Sequence, residues 1–366
     1  MQYALAHIKA LTTPVQDYIG KLKKIAEDHK YVVFYGCGII LNSIIECWNN
    51  YTGFKIDFLC DRNPAKWHTK IHGIQCISPD ELTSIKDETA VFITTGALLE
   101  VYDFLKKRDF PFVFPIYKYD MKSSPIICGS GIDEMQKKLA ETFMLLEDKR
   151  SIEVFETSLQ RAFKGSDQID IMSRVMDKDQ CFADVLSLGK HESFVDGGAF
   201  DGDTILDFID RVDGQFDHIY AFELTTENYQ NLTARVQKLP AAGKIHCYNL
   251  GLYDSREEIS YSATERDSAI GLGSSRAFVD RLDAVLGNAP VTFIKLDIEG
   301  AEMHALRGAV NIIQTQKPKM AVCVYHDLMH LYEVPLYLKA IVPEYKIFFR
   351  HHTMYEHDTI CYAVPT

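Results

Sequence analysis

The sequence predicts an α/β protein with two Rossmann-like domains joined by a helical connector. Three observations predict it. Short apolar strands alternate with helical stretches over about 30–120 and again from Ser193 onward, the pattern of parallel βαβ units. Each series begins with a strand that enters a glycine turn, Tyr31–Gly38 in the first and Phe194–Gly198 in the second. Each then has a strand ending in an acid, Asp61 and Glu223. A chain of 366 residues that is 47% hydrophobic is long enough for more than one core.

Residues 1–30 read as helical and mixed in charge. The first series has strands at Tyr31–Gly38, Ile56–Asp61, Ala90–Gly96 and Phe112–Ile116, with a helical stretch through Trp48. Ser123–Gly131, with Ser-Ser-Pro and two glycines, marks a boundary. From Ile132 to about Gly189 strand alternation stops. Leu139, Phe143, Leu146, Val154, Phe155, Leu159 and Phe163 recur at helical spacing, so this stretch is a connector expected to pack over the second domain. The second series has strands near Phe194–Val195, His218–Glu223, Lys244–Leu250, Val291–Asp297, Lys319–Tyr325, Tyr345–Phe349 and Thr359–Val364. That makes a seven-stranded sheet whose last two strands form an antiparallel edge hairpin. The expected division is 1–122, 123–189 and 190–366.

Composition narrows the function classes. There are 39 basic against 51 acidic residues, a net charge of -12, with no basic stripe to grip a nucleic-acid backbone. No apolar run approaches the roughly 18 residues that would span a bilayer, and the N-terminus lacks a secretory apolar core. Nine cysteines without a Cys-x-x-Cys pair read as reduced thiols in a cytoplasmic protein, with Cys47, Cys60, Cys247 and Cys323 as small core residues.

The two glycine turns compete as cofactor sites. In the first, Gly36-Cys-Gly38 is followed by Leu41 where a third glycine would allow close helix packing, and Asp61 is the ribose candidate. This degenerate pattern leaves an NAD-linked oxidoreductase as the alternative reading. It leaves equally a sheet kept for packing, or for docking onto a partner. In the second, Val195–Thr204 (VDGGAFDGDT) is followed by Glu223, 25 residues after Gly198, and by Phe293–Glu302, which sets Asp297, Glu299 and Glu302 at a strand's carboxyl end. Open α/β sheets bind ligands there. Asp196 and Asp201 at the turn would repel a pyrophosphate and suit a cationic cofactor. A structural turn, and helix-capping roles for Glu299 and Glu302, are the plainer readings.

These motifs resemble the FkbM-type methyltransferases, class I S-adenosylmethionine-dependent enzymes. The resemblance covers about 190–365. It rests on VDGGAFDGDT (195–204), AFEL (221–224), Asn249–Asp254, Arg281-Leu-Asp283 and IKLDIEGAEMHALRGA (294–309), with Tyr325-His326 and Arg350-His-His352 beside them. Leu224 departs from it, standing where that family commonly has Pro. The resemblance implies a seven-stranded methyltransferase sheet and S-adenosylmethionine as cofactor. Asp196, Gly198 and Gly202 would contact its methionine part, and Gly197, Ala199, Asp201 and Thr204 would belong to the same cofactor site. Glu223 would take the ribose hydroxyls, Leu224 after it would belong to the adenine-side loop of the same cofactor site, and Asn249, Gly251 and Leu252 would flank the adenine. Asp297 and Glu299 would face the transferred methyl. A sugar or glycoconjugate hydroxyl is the expected acceptor. The first domain is more loosely similar to small domains attached to sugar-modifying enzymes, which leaves a homo-oligomeric or glycan-assembly partner open for it.

An alcohol acceptor must lose a proton as the new bond forms, so Asp297 or His326 is the expected base. His351 and His352, also beyond a strand, are expected to help bind substrate, with a structural role as the alternative for each histidine. Asp297, Glu299 and His326 offer donors for a divalent cation, but their spacing is not diagnostic and no metal is assigned. Lys295, Arg307 and Arg350 either neutralise the acids or grip an anionic sugar.

Overall fold

The computed structural model describes residues 1–13, 17–38, 40–116, 120–122, 129, 131–164, 171–177, 182–263, 268–270, 275–353 and 357–366. Most of the expected boundary, 123–128 and 130, lies outside them. The chain forms two compact units. One is Leu11–Asp133 with Leu159–Ile171; the other is Met1–Ala10, Glu134–Ser158 and Met172–Thr366. These limits do not coincide with the expected division at 122/123 and 189/190. The connector is not a body of its own. Its helix Lys149–Lys164 belongs to one unit up to Ser158 and to the other from Leu159.

The first unit is built on strands β1 (Tyr31–Tyr35), β2 (Phe58–Cys60), β3 (Lys70–Ile71), β4 (Ile74–Ile77), β5 (Thr89–Ile93) and β6 (Val113–Pro115). Their order is β3-β4-β2-β1-β5-β6, parallel except for the β3–β4 pair. The short β3–β4 hairpin has no counterpart in the sequence reading. Trp48, wholly buried, anchors the core against Phe34 and Phe92, with ring centroids 5.2 and 5.0 Å away. Its indole N–H is satisfied by the Phe54 carbonyl at 2.8 Å, which lets so large a side chain be buried.

The second unit holds β7 (Ser193–Gly197), β8 (His218–Glu223), β9 (Ile245–Asn249), β10 (Gly251–Leu252), β11 (Glu257–Ala263), β12 (Ser268–Ile270), β13 (Ser275–Asp280), β14 (Phe293–Leu296), β15 (Lys319–Cys323), β16 (Lys346–His351) and β17 (Thr359–Val364). Seven of them form one sheet in the order β16-β17-β15-β14-β7-β8-β9, and β17 runs antiparallel to both neighbours. The predicted sheet and its edge hairpin are therefore present. The central strands β7 and β14 are buried at every position, as strands covered on both faces must be. Phe194 and Phe293 stack between them at 4.8 Å.

The sequence reading placed no strand between Leu250 and Val291. There β10, β13, β11 and β12 form a separate four-stranded sheet. β13 has only two buried residues in six, so its sequence carries little apolar signal. Arg350, 3% exposed, also departs from expectation. Its guanidinium binds Asp148 (2.7 Å) and Asp184 (3.0 Å) and thereby clamps the segment around residue 148 to β16. It neither neutralises the acidic cluster nor waits for an anionic sugar.

Trp48→Ala should lower the stability of the first unit by about 3–5 kcal/mol, read as a shift in its urea midpoint. An unshifted midpoint would show that this aromatic anchor is dispensable.

Candidate functional site

The chain order reverses at β7, which lies between β14 and β8, so a crevice opens beyond the carboxyl ends of these strands. Two backbone features shape it. Gly198 has φ +80, and a Cβ there would lie 1.9 Å from the Asp297 carbonyl oxygen, so the turn after β7 touches the end of β14. The loop after β14 reverses through Glu299 (φ +57) and Gly300 (φ +102). Phe200, also non-glycine, has φ +48. Such conformations are costly for residues with a Cβ, and they cluster where structure serves a site.

The crevice contains a cavity of about 510 Å³. Among the described residues five carboxylates line it, from Asp203, Glu223, Asp297, Glu299 and Asp358, together with one lysine, Lys295. Leu224, Leu250, Leu252 and Phe222 supply apolar wall on the β8–β10 side, and Tyr325, His352 and His357 lie on the β15–β17 side.

The predicted residues divide sharply. Gly198, Thr204, Glu223, Leu224, Gly251, Leu252, Asp297, Glu299 and His352 line the cavity. Asp196, Gly197, Ala199, Asp201, Gly202, Asn249, His326 and His351 do not. Asp196 is wholly buried under the turn, 3.1 Å from the Lys295 ammonium. Burial pushes its carboxyl up to about 6, with Lys295 pulling the other way and Asp203 and Asp297 adding to the rise. Lys295 also donates to the Gly198 carbonyl at 3.0 Å. Asp201 pairs with Arg235 at 2.5 Å. The two acids expected to attract a cation at the turn are thus neutralised by partners, and the cavity takes its negative charge from other residues. Asn249 donates to the Glu223 and Leu224 carbonyls at 3.1 Å and braces the loop from outside.

Glu223 holds the turn and the cavity together. Its Oε1 accepts from the Thr225 N–H (2.8 Å) and hydroxyl (2.9 Å), and its Oε2 accepts from the Phe200 N–H at 3.0 Å. A carboxylate has about four acceptor positions, so one remains on Oε2.

His326 does not suit the role of base. Its side chain is 1% exposed, with Nδ1 2.8 Å from Glu302 and Nε2 3.6 Å from both Asp297 and Glu299. Burial opposes its charge, but these carboxylates, Glu302 foremost, raise it to about 9. At neutral pH it already carries the proton it was expected to take. Glu302, buried outright, is held well below the carboxylate range despite burial, through the charges and hydrogen bonds of His326 and His330. The same Oε1 accepts from the Ile298 and Gly300 N–H groups at 3.0 and 3.4 Å, so Glu302 braces the acidic loop from beneath. Asp297, Glu302 and His326 offer atoms within 4.8 Å of one another, a spacing a cation could use. As they stand, the imidazolium and the Glu302 carboxylate neutralise each other, so the set is an ion-pair brace and does not fit a ready ligand set. His351 is the last residue of β16 and is buried with Nδ1 2.8 Å from the Thr359 hydroxyl, a core contact. His352 lies 2.9 Å from the Tyr362 hydroxyl at the cavity wall.

In the first unit, Asp61 is already engaged. It accepts from the Cys37 and Asn63 N–H groups, both at 2.8 Å, and from Lys66 at 3.0 Å. Burial raises its carboxyl, but these bonds outweigh that and leave it lowered. Three of its acceptor positions are thus filled from within the protein, the same number as on Glu223, so this count does not separate the two cofactor readings.

Sequence reasoning missed Asp203 and Phe200, although both lie inside the quoted turn motif. It also missed His357 and Asp358, which carry no motif and reach the cavity only through pairing of the last hairpin.

Residues 196–353 match the family model for the methyltransferase FkbM domain. This part of the chain is an FkbM methyltransferase domain. The crystal structure of methyltransferase FkbM from Methylobacillus flagellatus KT is similar over 99% of this chain and 98% of that chain, at TM-score 0.73 and 20% identity, which shows a shared fold. Aeropyrum pernix fibrillarin in complex with S-adenosyl-L-methionine matches at TM-score 0.33 and 13% identity, over 51% of this chain and 73% of that chain. A comparison with curated proteins gave no match. Among the described residues no helix is long and apolar enough to cross a membrane.

The His326–Glu302 pair makes the FkbM domain's stability depend on pH. The folded-state value of His326 is raised, so its contribution is complete below the ordinary 6.5 and is lost as pH rises through about 9. Across that window the wild type should lose more stability than His326→Gln in urea titrations. Parallel curves for the two proteins would unlink the pair from stability.

Proposed function

We propose that the FkbM domain uses S-adenosylmethionine to methylate a hydroxyl of a sugar or glycoconjugate. The observation that carries this reading is the chemical division of this cavity. Its β8–β10 side pairs an apolar wall with Glu223, whose remaining acceptor position suits a ribose hydroxyl. Its other side is dominated by carboxylates, which suit a positive sulfonium. The donor supplies an electrophilic methyl carbon when bound. Gly198 and Thr204 would border its methionine part, and Leu224, Gly251 and Leu252 its adenine.

The acceptor assignment follows from the same charges. Carboxylates accept hydrogen bonds from hydroxyls and repel phosphates, so a neutral polyol is favoured over an anionic sugar. Tyr325, His352 and His357 add flat surfaces of the kind that pack on sugar rings. The protein's task is to hold the hydroxyl in line with the methyl, and positioning alone supplies several kcal/mol.

Calorimetry should show S-adenosylmethionine binding that falls about 10–100-fold in Glu223→Ala, the loss expected for hydrogen bonds to a charged group. Unchanged affinity in a folded variant would remove Glu223 from the ribose site. A mass-spectrometric screen of neutral sugars and glycan fragments should find a gain of one methylene. Turnover should survive EDTA, and its loss with recovery on Mg²⁺ would instead assign Asp297 and its neighbours to a cation.

A further inference from the structure

We propose that Asp358 is the catalytic base that takes the proton from the acceptor hydroxyl; this rests on the methyl-transfer reading above. β17 pairs with β15 so that Cys323 faces Ile360, and the Val324 N–H donates to the Thr359 carbonyl at 2.9 Å. The same register continued by two residues sets Asp358 opposite Tyr325, at the carboxyl end of the sheet. Alternation puts Cys323, Tyr325, Ile360 and Asp358 on one face, and all four line the cavity. Asp358 is held there in a left-handed conformation, φ +67, while its backbone carbonyl accepts from His352 at 3.1 Å.

A carboxylate that no protein donor already orients is the best placed to turn toward a substrate hydroxyl and take its proton. Four of the five lining carboxylates have partners. Asp203 takes the Thr204 N–H at 2.7 Å, and Glu223 takes the Phe200 and Thr225 donors. Asp297 takes the Tyr325 hydroxyl at 3.1 Å, and Glu299 lies 3.6 Å from the His326 imidazolium. Among the described residues no donor is bonded to the Asp358 carboxylate.

The charged groups around Asp358 also suit the task. Burial comes first in raising its carboxyl, to about 7, and the negative Asp297 adds to the rise. His326 beyond β15 and Lys295 on β14 pull it down. Tyr325 and Cys323 also face it, and His352 and His357 flank it on its own hairpin. A base with a value near the operating pH combines a useful charged fraction with real proton affinity. The acceptor oxygen bonds to the methyl carbon as the carbon–sulfur bond breaks, the bonding pair stays on sulfur, and the hydroxyl proton passes to the Asp358 carboxylate. Charge balances, since one cation and one carboxylate become a neutral thioether and a neutral acid.

Asp358→Asn in the full-length protein tests this. Turnover should fall about 10²–10⁴-fold while affinity for S-adenosylmethionine stays within a few-fold of wild type. The acidic limb of the wild-type rate profile, near pH 7, should vanish, and Asp358→Glu should recover part of the rate. A second readout needs no turnover. Bringing a sulfonium near Asp358 should expel its proton, so calorimetry in two buffers of different ionisation enthalpy should show more proton release with S-adenosylmethionine than with S-adenosylhomocysteine. That difference should vanish in Asp358→Asn. Wild-type turnover in the variant, or an undiminished proton release, would overturn the proposal and leave methyl transfer standing. Failure of the wild type to bind the donor at all would overturn the functional reading beneath it.

Discussion

The crevice depends on one buried cation. Lys295 sits on the central strand β14, bonds the Gly198 carbonyl and stands beside the fully buried Asp196 on β7. It ties the turn after one strand to the strand that carries the acidic loop. Only a glycine can sit at 198, because the two backbones touch there. A charge so placed is costly unless paired, and removing either member of a buried pair typically costs about 3–5 kcal/mol. The turn's position therefore rests on an ionic contact between Lys295 at the cavity floor and Asp196 behind it as much as on the glycine conformation.

Charge is distributed in two tiers. The lower tier, Asp196–Lys295 and Glu302–His326, is paired, desolvated and structural. The upper tier faces the cavity and is predominantly acidic. His326 connects them, since its Nε2 lies 3.6 Å from both Asp297 and Glu299. An imidazolium there lets those two carboxylates stay close together and limits how acidic the cavity becomes. Loss of that proton would change the loop's electrostatics without altering a residue that borders the cavity.

Much of the second sheet was legible because its central strands are continuous apolar runs that end in glycine or an acid, as at Phe194–Gly198 and Phe293–Asp297. The same motifs pointed to Glu223 and Asp297. Motifs do not reveal whether an acid points into a cavity or into a partner. Asp196 and Asp201 stand in the quoted turn, yet Lys295 and Arg235 claim them. His326 was recognised as important, but its protonation follows from Glu302, 24 residues away on another element. Asp358 is separated from Asp297 by 61 residues and reaches the cavity only through the register of β17 on β15. The sheet at 251–280 was illegible for a different reason, as its strands are short or mostly exposed and carry weak periodicity.

The way the chain divides has a consequence for biosynthesis. Met1–Ala10 belongs to the unit that is completed only by the final strands, whereas Leu11–Asp133 belongs to the other. A ribosome therefore releases the first helix long before the sheet it accompanies exists. The inner unit has its six strands early but still waits for Leu159–Ile171. Domains are generally formed in order of synthesis. Here that order is interleaved, so the opening segment meets partners in its own unit, such as Phe143 and Glu156, only after the whole of Leu11–Asp133 has been made. Severing the chain near residue 130 would take Met1–Ala10 away from the methyltransferase half along with the inner sheet.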